Sequence, residues 1–213
     1  GSTVKPLFGL IGLQHKIFDL DYSINDPGYF FMEGIKRPWR DHNADQGGHG
    51  QGVDLAEAII ESCDVFFYTI GVKAGIDLLS KESALFGLGD ITGIDLPGEK
   101  RGIMPSRDWK KENRRQDWFN GDTINMSIGQ GFMLTTPLQL AVMSARIAAR
   151  GMPGCARSKL CHSAGRARLA GAYASAGSTR GGDCTRRFDE AVVVRGPGCE
   201  QTDVNGLGLC EQI

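Results

Sequence analysis

The sequence predicts the helical part of a mixed α/β (α+β) domain, and three observations carry that expectation. Apolar residues recur at near-helical spacing through residues 1–150, with glycines standing where the runs stop. A serine and a lysine three residues apart, at positions 2 and 5, open the chain, and the surroundings of such a pair call for strands on both sides. Composition then changes after residue 150. The first stretch holds all three Trp, nine of the ten Phe and one of the six Cys, while residues 151–213 hold five Cys, eleven Gly and seven Arg.

In chain order, Val4, Leu7, Phe8, Ile11 and Leu13 mark a buried helix whose first turn is Gly1-Ser2-Thr3-Val4-Lys5-Pro6. Pro6 is tolerated there because first-turn amides lack intrahelical acceptors. Val53-Asp54-Leu55 opens a helix through Glu61, with Leu55, Ala58 and Ile59 facing inward. Val65 to Lys73 predicts a second buried helix, stopped by Gly75, and Asp77 to Phe86 a third, ended by Gly87. Thr136-Pro137-Leu138-Gln139 is a capping box with Pro at the first helical position, leading an apolar helix to Arg150. The segments 87–102 and 105–123 are Gly-rich and charged, and are expected to be loops.

The domain organisation follows: residues 1–150 as a partial domain and 151–213 as a tail. Ala191-Val192-Val193-Val194 is the one strand-like run in that tail, and no amphipathic period survives around it. A disulfide-stapled appendage fits poorly with five irregular cysteines, and a flexible linker fits poorly with scattered Cys and Arg. Translation out of frame fits better, so the tail is expected to be disordered and non-native. With 213 residues and a net charge of −1, the chain has room for a sizeable core, and its electrostatics call for no polyanion or charged membrane surface. No apolar run approaches the length of a membrane span, and no signal peptide is visible. A nucleophile at the second residue does not suit an intact enzyme, so the chain is expected to be a fragment.

Positions i and i+3 of a helix share a face, which brings the Ser2 hydroxyl and the Lys5 amine to one pocket. Serine becomes a nucleophile once a base removes its proton, and a desolvated lysine can be that base. Ser62-Cys63-Asp64 falls between two expected helices as a short turn. Ser62 could relay a proton, and Asp64 could hold the lysine in place. The plainer alternative for that turn is a helix end followed by an N-cap, a routine use of Ser and Asp. Spacing alone favours the plainer alternative.

The balance shifts with the blocks taken together. Gly1-Ser2-Thr3-Val4-Lys5-Pro6, then Glu61-Ser62-Cys63-Asp64 before Phe66-Phe67-Tyr68, resemble the first two motifs of class B penicillin-binding proteins. Phe86-Gly87-Leu88-Gly89 with Thr92-Gly93-Ile94-Asp95-Leu96-Pro97-Gly98-Glu99 resembles the next signature of that family. Ile128-Gly129-Gln130-Gly131 followed by Thr136-Pro137-Leu138-Gln139 resembles the one after it. Asp64 in place of the commoner Asn, with Asp122-Thr123, is similar to the penicillin-binding protein 2 branch, the elongation-type D,D-transpeptidases of rod-shaped bacteria.

The resemblance implies a serine D,D-peptidase/β-lactamase-like transpeptidase fold, of which this chain carries mainly the helices. It implies Ser2 as nucleophile, Lys5 as its base, Ser62 as relay and Asp64 as the partner of Lys5. The implied ligands are peptidoglycan stem peptides ending in D-Ala-D-Ala, and β-lactams that acylate Ser2. The implied partners are elongation-machinery membrane proteins at the periplasmic face of the inner membrane, with an anchor in a missing N-terminal part. No catalytic cofactor and no nucleic acid are implied. The family's third motif, Lys-(Thr/Ser)-Gly on an edge strand, occurs nowhere in 151–213, so the chain itself is expected to be inactive. A serine β-lactamase or D,D-carboxypeptidase shares the Ser-x-x-Lys start but not the later blocks, and a non-catalytic β-lactam sensor or scaffold is the alternative from another class.

Asp26, Asp41, His49 and Cys63, all between or beside the first two motifs, form a mixed oxygen, nitrogen and sulfur set. Zinc accepts each ligand type in tetrahedral geometry. The resemblance extends to a structural zinc site of this Asp, Asp, His, Cys kind in the same branch. The plainer alternative is carboxylates in turns, a solvent histidine and a small buried Cys.

Overall fold

The structure is a computed structural model that describes residues 1–94 and 97–148. The expectations for Asp95, Leu96, the last two residues of the helix to Arg150 and the tail 151–213 lie outside the described residues. Helices dominate: α1 (Lys5–Gln14), α2 (Leu55–Ile60), α3 (Asp64–Leu85), α4 (Arg107–Arg114), α5 (Asn120–Ser127) and α6 (Pro137–Ala148). The strands are short: β1 (Ile24–Asp26), β2 (Tyr29–Phe30), β3 (Trp39–Arg40) and β4 (Gly50–Val53). Among the described residues they make two antiparallel pairs, β1 with β4 and β2 with β3. No described helix is long and apolar enough to cross a membrane.

The core is organised around α3, which packs against α1 on one side and α5 on the other. Phe66, Phe67, Ile70, Ile76 and Leu79 from α3 meet Leu7, Phe8 and Ile11 from α1 and Ile124 and Met126 from α5, all buried. The α3–α5 crossing is close because Gly71 has no side chain: a Cβ there would overlap Ser127 Cβ. Gly75 leaves the helical conformation at φ 72°, ψ 160°, so α3 is two helical halves joined at a break. The sequence places the stop at this glycine, because a left-handed φ carries no steric cost without a Cβ.

Local chemistry sets the other ends. Asp54 caps α2 by accepting a hydrogen bond from Glu57 N at 2.9 Å. At α6, Thr136 Oγ1 accepts from Gln139 N at 3.1 Å and Gln139 Oε1 accepts from Thr136 N at 3.0 Å, a reciprocal cap. Gln139 is fully buried, and its amide also donates to the carbonyls of Asp90 and Arg101 at 2.6 and 2.7 Å. One side chain thereby fastens both ends of the 87–102 segment to the start of α6.

The segment 105–123 corrects the sequence expectation of a loop. It contains α4 and the first turn of α5. α4 begins at Ser106, whose hydroxyl accepts from Trp109 N at 3.1 Å, and runs through a highly charged stretch with Lys110 buried. An apolar stripe was the wrong signal for this helix. Its inward contact is a cation: Lys110 Nζ pairs with Asp122 at 2.5 Å and lies 4.6 Å from the Phe119 ring centroid.

Candidate active site

Ser2 opens a 3-10 turn, Ser2–Val4, that runs straight into α1; it is exposed, and no hydrogen bond holds its hydroxyl among the described residues. Lys5 follows as the first residue of α1 and is 1% exposed. A buried ammonium must find acceptors for its three protons. Lys5 Nζ donates to the Ser62 carbonyl at 2.6 Å, to Ser62 Oγ at 3.0 Å and to Asp64 Oδ1 at 2.6 Å. The structure therefore brings Lys5, Ser62 and Asp64 together, with Ser2 one turn away on the solvent side.

Ser62 adopts φ 57°, a left-handed conformation that costs a non-glycine residue about 1–2 kcal/mol. That conformation aims both its carbonyl and its hydroxyl at Lys5. Asp64 is the first residue of α3, where the free N–H groups of the helix favour a carboxylate. Cys63 caps the same helix through Sγ, which accepts from Phe66 N at 3.3 Å. A third residue, Asp41, accepts from Asp64 N at 2.5 Å and Val65 N at 3.2 Å through Oδ2. The plainer sequence alternative, a capped helix start, is thus also present, but the caps are Cys63 and Asp41 while Asp64 turns to Lys5. Burial raises the pKa of Tyr68 on the next turn, and the charges of Asp64 and Asp41 push it further up.

The four residues read as a metal set also converge. The β1–β4 pairing places Asp26 opposite Gly50, the residue after His49. Asp26 Oδ2 lies 2.6 Å from His49 Nδ1 and 3.2 Å from Cys63 Sγ, and Asp41 Oδ1 lies 3.8 Å from His49 Nδ1. One ligand atom from each of the four fits within 4.8 Å of all the others. His49 is no solvent histidine: its ring is buried, and Nε2 has no partner among the described residues. Burial works against ionisation of Asp26, but hydrogen bonds from His49, the Gly28 amide and Cys63 outweigh it and leave the carboxyl below its ordinary value. The Cys63 thiol is pushed far up, first by burial and then by the two aspartates. Two carboxylates, an imidazole and a thiol, largely buried, suit a divalent cation that binds thiolate, and zinc fits that donor set. Sequence reasoning missed His42, whose Nδ1 lies 3.0 Å from Asp41 Oδ1 and which groups with Asp41 and Asp64 as a second, more exposed set. It also missed the capping role of Asp41, which joins the cluster to the α3 start.

A serine one turn before a three-point lysine clamp, built on two packed helices, is an arrangement whose chemistry suits acyl transfer. The chain belongs to the penicillin-binding protein transpeptidase family, whose domain it matches over residues 1–153. Within that family the branch is penicillin-binding protein 2. The peptidoglycan D,D-transpeptidase MrdA of Acinetobacter baumannii is 43% identical over 151 residues, which is 71% of this chain and 22% of that protein. Its counterpart in Escherichia coli K12 is 38% identical over 140 residues, 66% of this chain and 22% of that protein. The chain thus spans about a fifth of the length of these relatives. Among solved structures, Pseudomonas aeruginosa PBP2 in complex with WCK 5153 superposes at a TM-score of 0.68 with 41% identity, covering 71% of this chain and 32% of that one. Helicobacter pylori PBP2, solved in complex with MreC, superposes at 0.64 with 40% identity, covering 70% and 27%.

Proposed function

We propose that this chain is part of a peptidoglycan D,D-transpeptidase that carries its acyl group on Ser2. The observation that carries the reading is the grip of Ser62 and Asp64 on Lys5, one turn after an exposed serine. Ser2 Oγ attacks the penultimate D-Ala carbonyl of a stem peptide, and its proton passes to Lys5, which has first handed one of its own to the Asp64 carboxylate it contacts. The Ser62 hydroxyl, in contact with Lys5, relays a proton to the departing nitrogen as the terminal D-Ala leaves. An amine from a neighbouring stem then attacks the ester, freeing Ser2 and completing the cross-link. β-Lactams enter as donor mimics: ring opening on Ser2 gives an ester with no leaving group to diffuse away. Asp64 orients Lys5 and balances its charge.

No catalytic cofactor takes part in this scheme. A structural zinc, held by Asp26, Asp41, His49 and Cys63, would tie the 24–53 segment to the turn bearing Ser62 and Asp64. Elongation-machinery membrane proteins at the periplasmic face of the inner membrane are the proposed partners, a proposal supported by the complex of the Helicobacter protein with MreC. The sequence contains no Lys-(Thr/Ser)-Gly, so the chain by itself would lack the backbone N–H that this motif gives to the oxyanion hole, a donor worth roughly 100- to 1,000-fold in rate. Residues 151–213 are proposed to be out of frame, which reading the gene in its other two frames past codon 150 tests directly.

Fluorescent penicillin labelling tests the function. A version in which that reading restores the remaining strands should label covalently, and Ser2→Ala should abolish the label while leaving the melting temperature within about 2 °C, since surface changes rarely exceed 0.5 kcal/mol. Label retained in Ser2→Ala refutes the assignment. Rapid hydrolysis of the drug would indicate a β-lactamase, and stable acylation without D-Ala release from a stem-peptide analogue would indicate a sensor.

A further inference from the structure

Gly129 lies at the C-terminal end of α5, far along the chain from the Ser2 turn, yet it touches that turn. Its N–H donates to Met126 O at 2.8 Å, and Gln130 N donates to Asn125 O at 3.0 Å. These two bonds, with φ 73° at Gly129, close α5 in a Schellman turn. The outer side of the turn rests against Gly1 and Val4. A Cβ on Gly129 would overlap the Gly1 carbonyl oxygen and come within 2.8 Å of both Gly1 C and Val4 Cγ2. Gly1 O is also the acceptor for Val4 N at 3.3 Å, the bond that closes the 3-10 turn around Ser2. The far end of α5 is firmly seated: Asp122 accepts from Phe119 N at 2.8 Å and pairs with buried Lys110. Along its length α5 is locked to α3 at the Gly71–Ser127 approach.

We propose that Gly129 is a positioning residue for the nucleophile, the abutment that sets where the Ser2 turn sits relative to Lys5. The Ser2 hydroxyl has no hydrogen-bond partner among the described residues, so its place depends on the backbone of Gly1 to Val4, and that backbone is bounded by Gly129. A shift of about 1 Å in a reacting group can cost on the order of 100-fold in rate. Any side chain at 129 has to displace Gly1 or Val4, the two ends of the turn that carries Ser2. The proposal rests on Ser2 being the acylated residue, but its first readout does not.

Gly131 supplies a matched control. It has the same φ of 73°, and a Cβ there would meet only Asn125 Cβ, at 3.2 Å. Both sites share the same left-handed φ, and only position 129 strikes the Ser2 turn. In the full chain, amide exchange at Val4 should quicken at least tenfold in Gly129→Ala, with Ile70 in α3 unchanged and Gly131→Ala like the parent. In the version that labels with penicillin, acylation should slow about 100-fold in Gly129→Ala and at most about threefold in Gly131→Ala. Equal effects of the two substitutions, or unchanged Val4 exchange in Gly129→Ala, would overturn the proposal. Should Gly129→Ala lose its cooperative melt, Val4→Ala probes the same contact from the other side: faster exchange at residue 4 and slower acylation support the proposal, and parental values for both overturn it. Loss of label in every protein including the parent counts against Ser2 acylation, not against the packing, which the exchange data judge alone.

Discussion

Replacing Lys5 with Met removes a buried cation while keeping most of its volume, so the cost is electrostatic and not one of packing. Three acceptors lose their donor: Ser62 O, Ser62 Oγ and Asp64 Oδ1. Removing one partner of a buried ion pair costs about 3–5 kcal/mol. Two features lower that figure here. The Asp64 side chain is 15% exposed, so water reaches it, and it sits on the first turn of α3, where helix N–H groups offset about 0.3–1 kcal/mol of its charge. Ser62 works in the other direction, since its left-handed φ of 57° loses the grip that holds it. The expected net loss is about 2–3 kcal/mol, or a fall in melting temperature of roughly 4–12 °C for a chain of this size. Thermal melts of Lys5→Met, Asp64→Asn and the double variant separate the terms. A coupling energy of about 1–3 kcal/mol is expected for groups in direct contact. Coupling within 0.3 kcal/mol of zero, or a Lys5→Met melt equal to the parent, would show that the clamp on Lys5 does not hold this site together.

Gln139→Leu strands the carbonyls of Asp90 and Arg101 and the Thr136 amide, so a loss of about 2–4 kcal/mol should appear in urea melts, with the 87–102 segment becoming protease-sensitive first. Gly71→Ala forces a methyl onto Ser127 and should cost about 1–3 kcal/mol, and adding Ser127→Gly should recover much of it. Purified protein should carry one zinc, and Cys63→Ser should lower both zinc content and melting temperature; absence of stoichiometric metal would leave Asp26, Asp41, His49 and Cys63 as a hydrogen-bonded cluster only. Because the Cys63 thiol is pushed well above its ordinary value, metal binding must expel its proton. Apparent zinc affinity should therefore rise with pH, about tenfold per unit near neutrality, and calorimetry in buffers of different ionisation enthalpy should count the released proton.

Much of the helical frame could be read from the chain. The Asp54 cap, the break at Gly75 and the reciprocal cap at Thr136 and Gln139 are local: each depends on residues within four positions of one another. Four spaced blocks sufficed to identify the family, because a motif preserves chemistry without needing its surroundings. α4 was missed because its buried residue is a lysine, which no apolar period reports. The short strands were missed because runs of two to four residues are too short to show alternation, and β4 holds two glycines besides.

The sequence by itself determined which residues could do chemistry: a serine and lysine at helical spacing, a second serine and aspartate at a helix start, and four residues with metal-binding atoms. Tertiary structure decided which of them meet. Lys5 reaches Ser62 and Asp64 only because α1 packs beside α3, and Asp26 meets His49 and Cys63 only because β1 pairs with β4 ahead of that helix. It also decided that Asp41 would cap α3, that Lys110 would bury itself on Asp122, and that Gly129 would lie against Gly1. Those contacts join residues from 12 to more than 100 positions apart, and local propensity has no information at that range. They form because burying the shared core of α1, α3 and α5 leaves the polar side chains between the helices no solvent to turn to, and they must find one another.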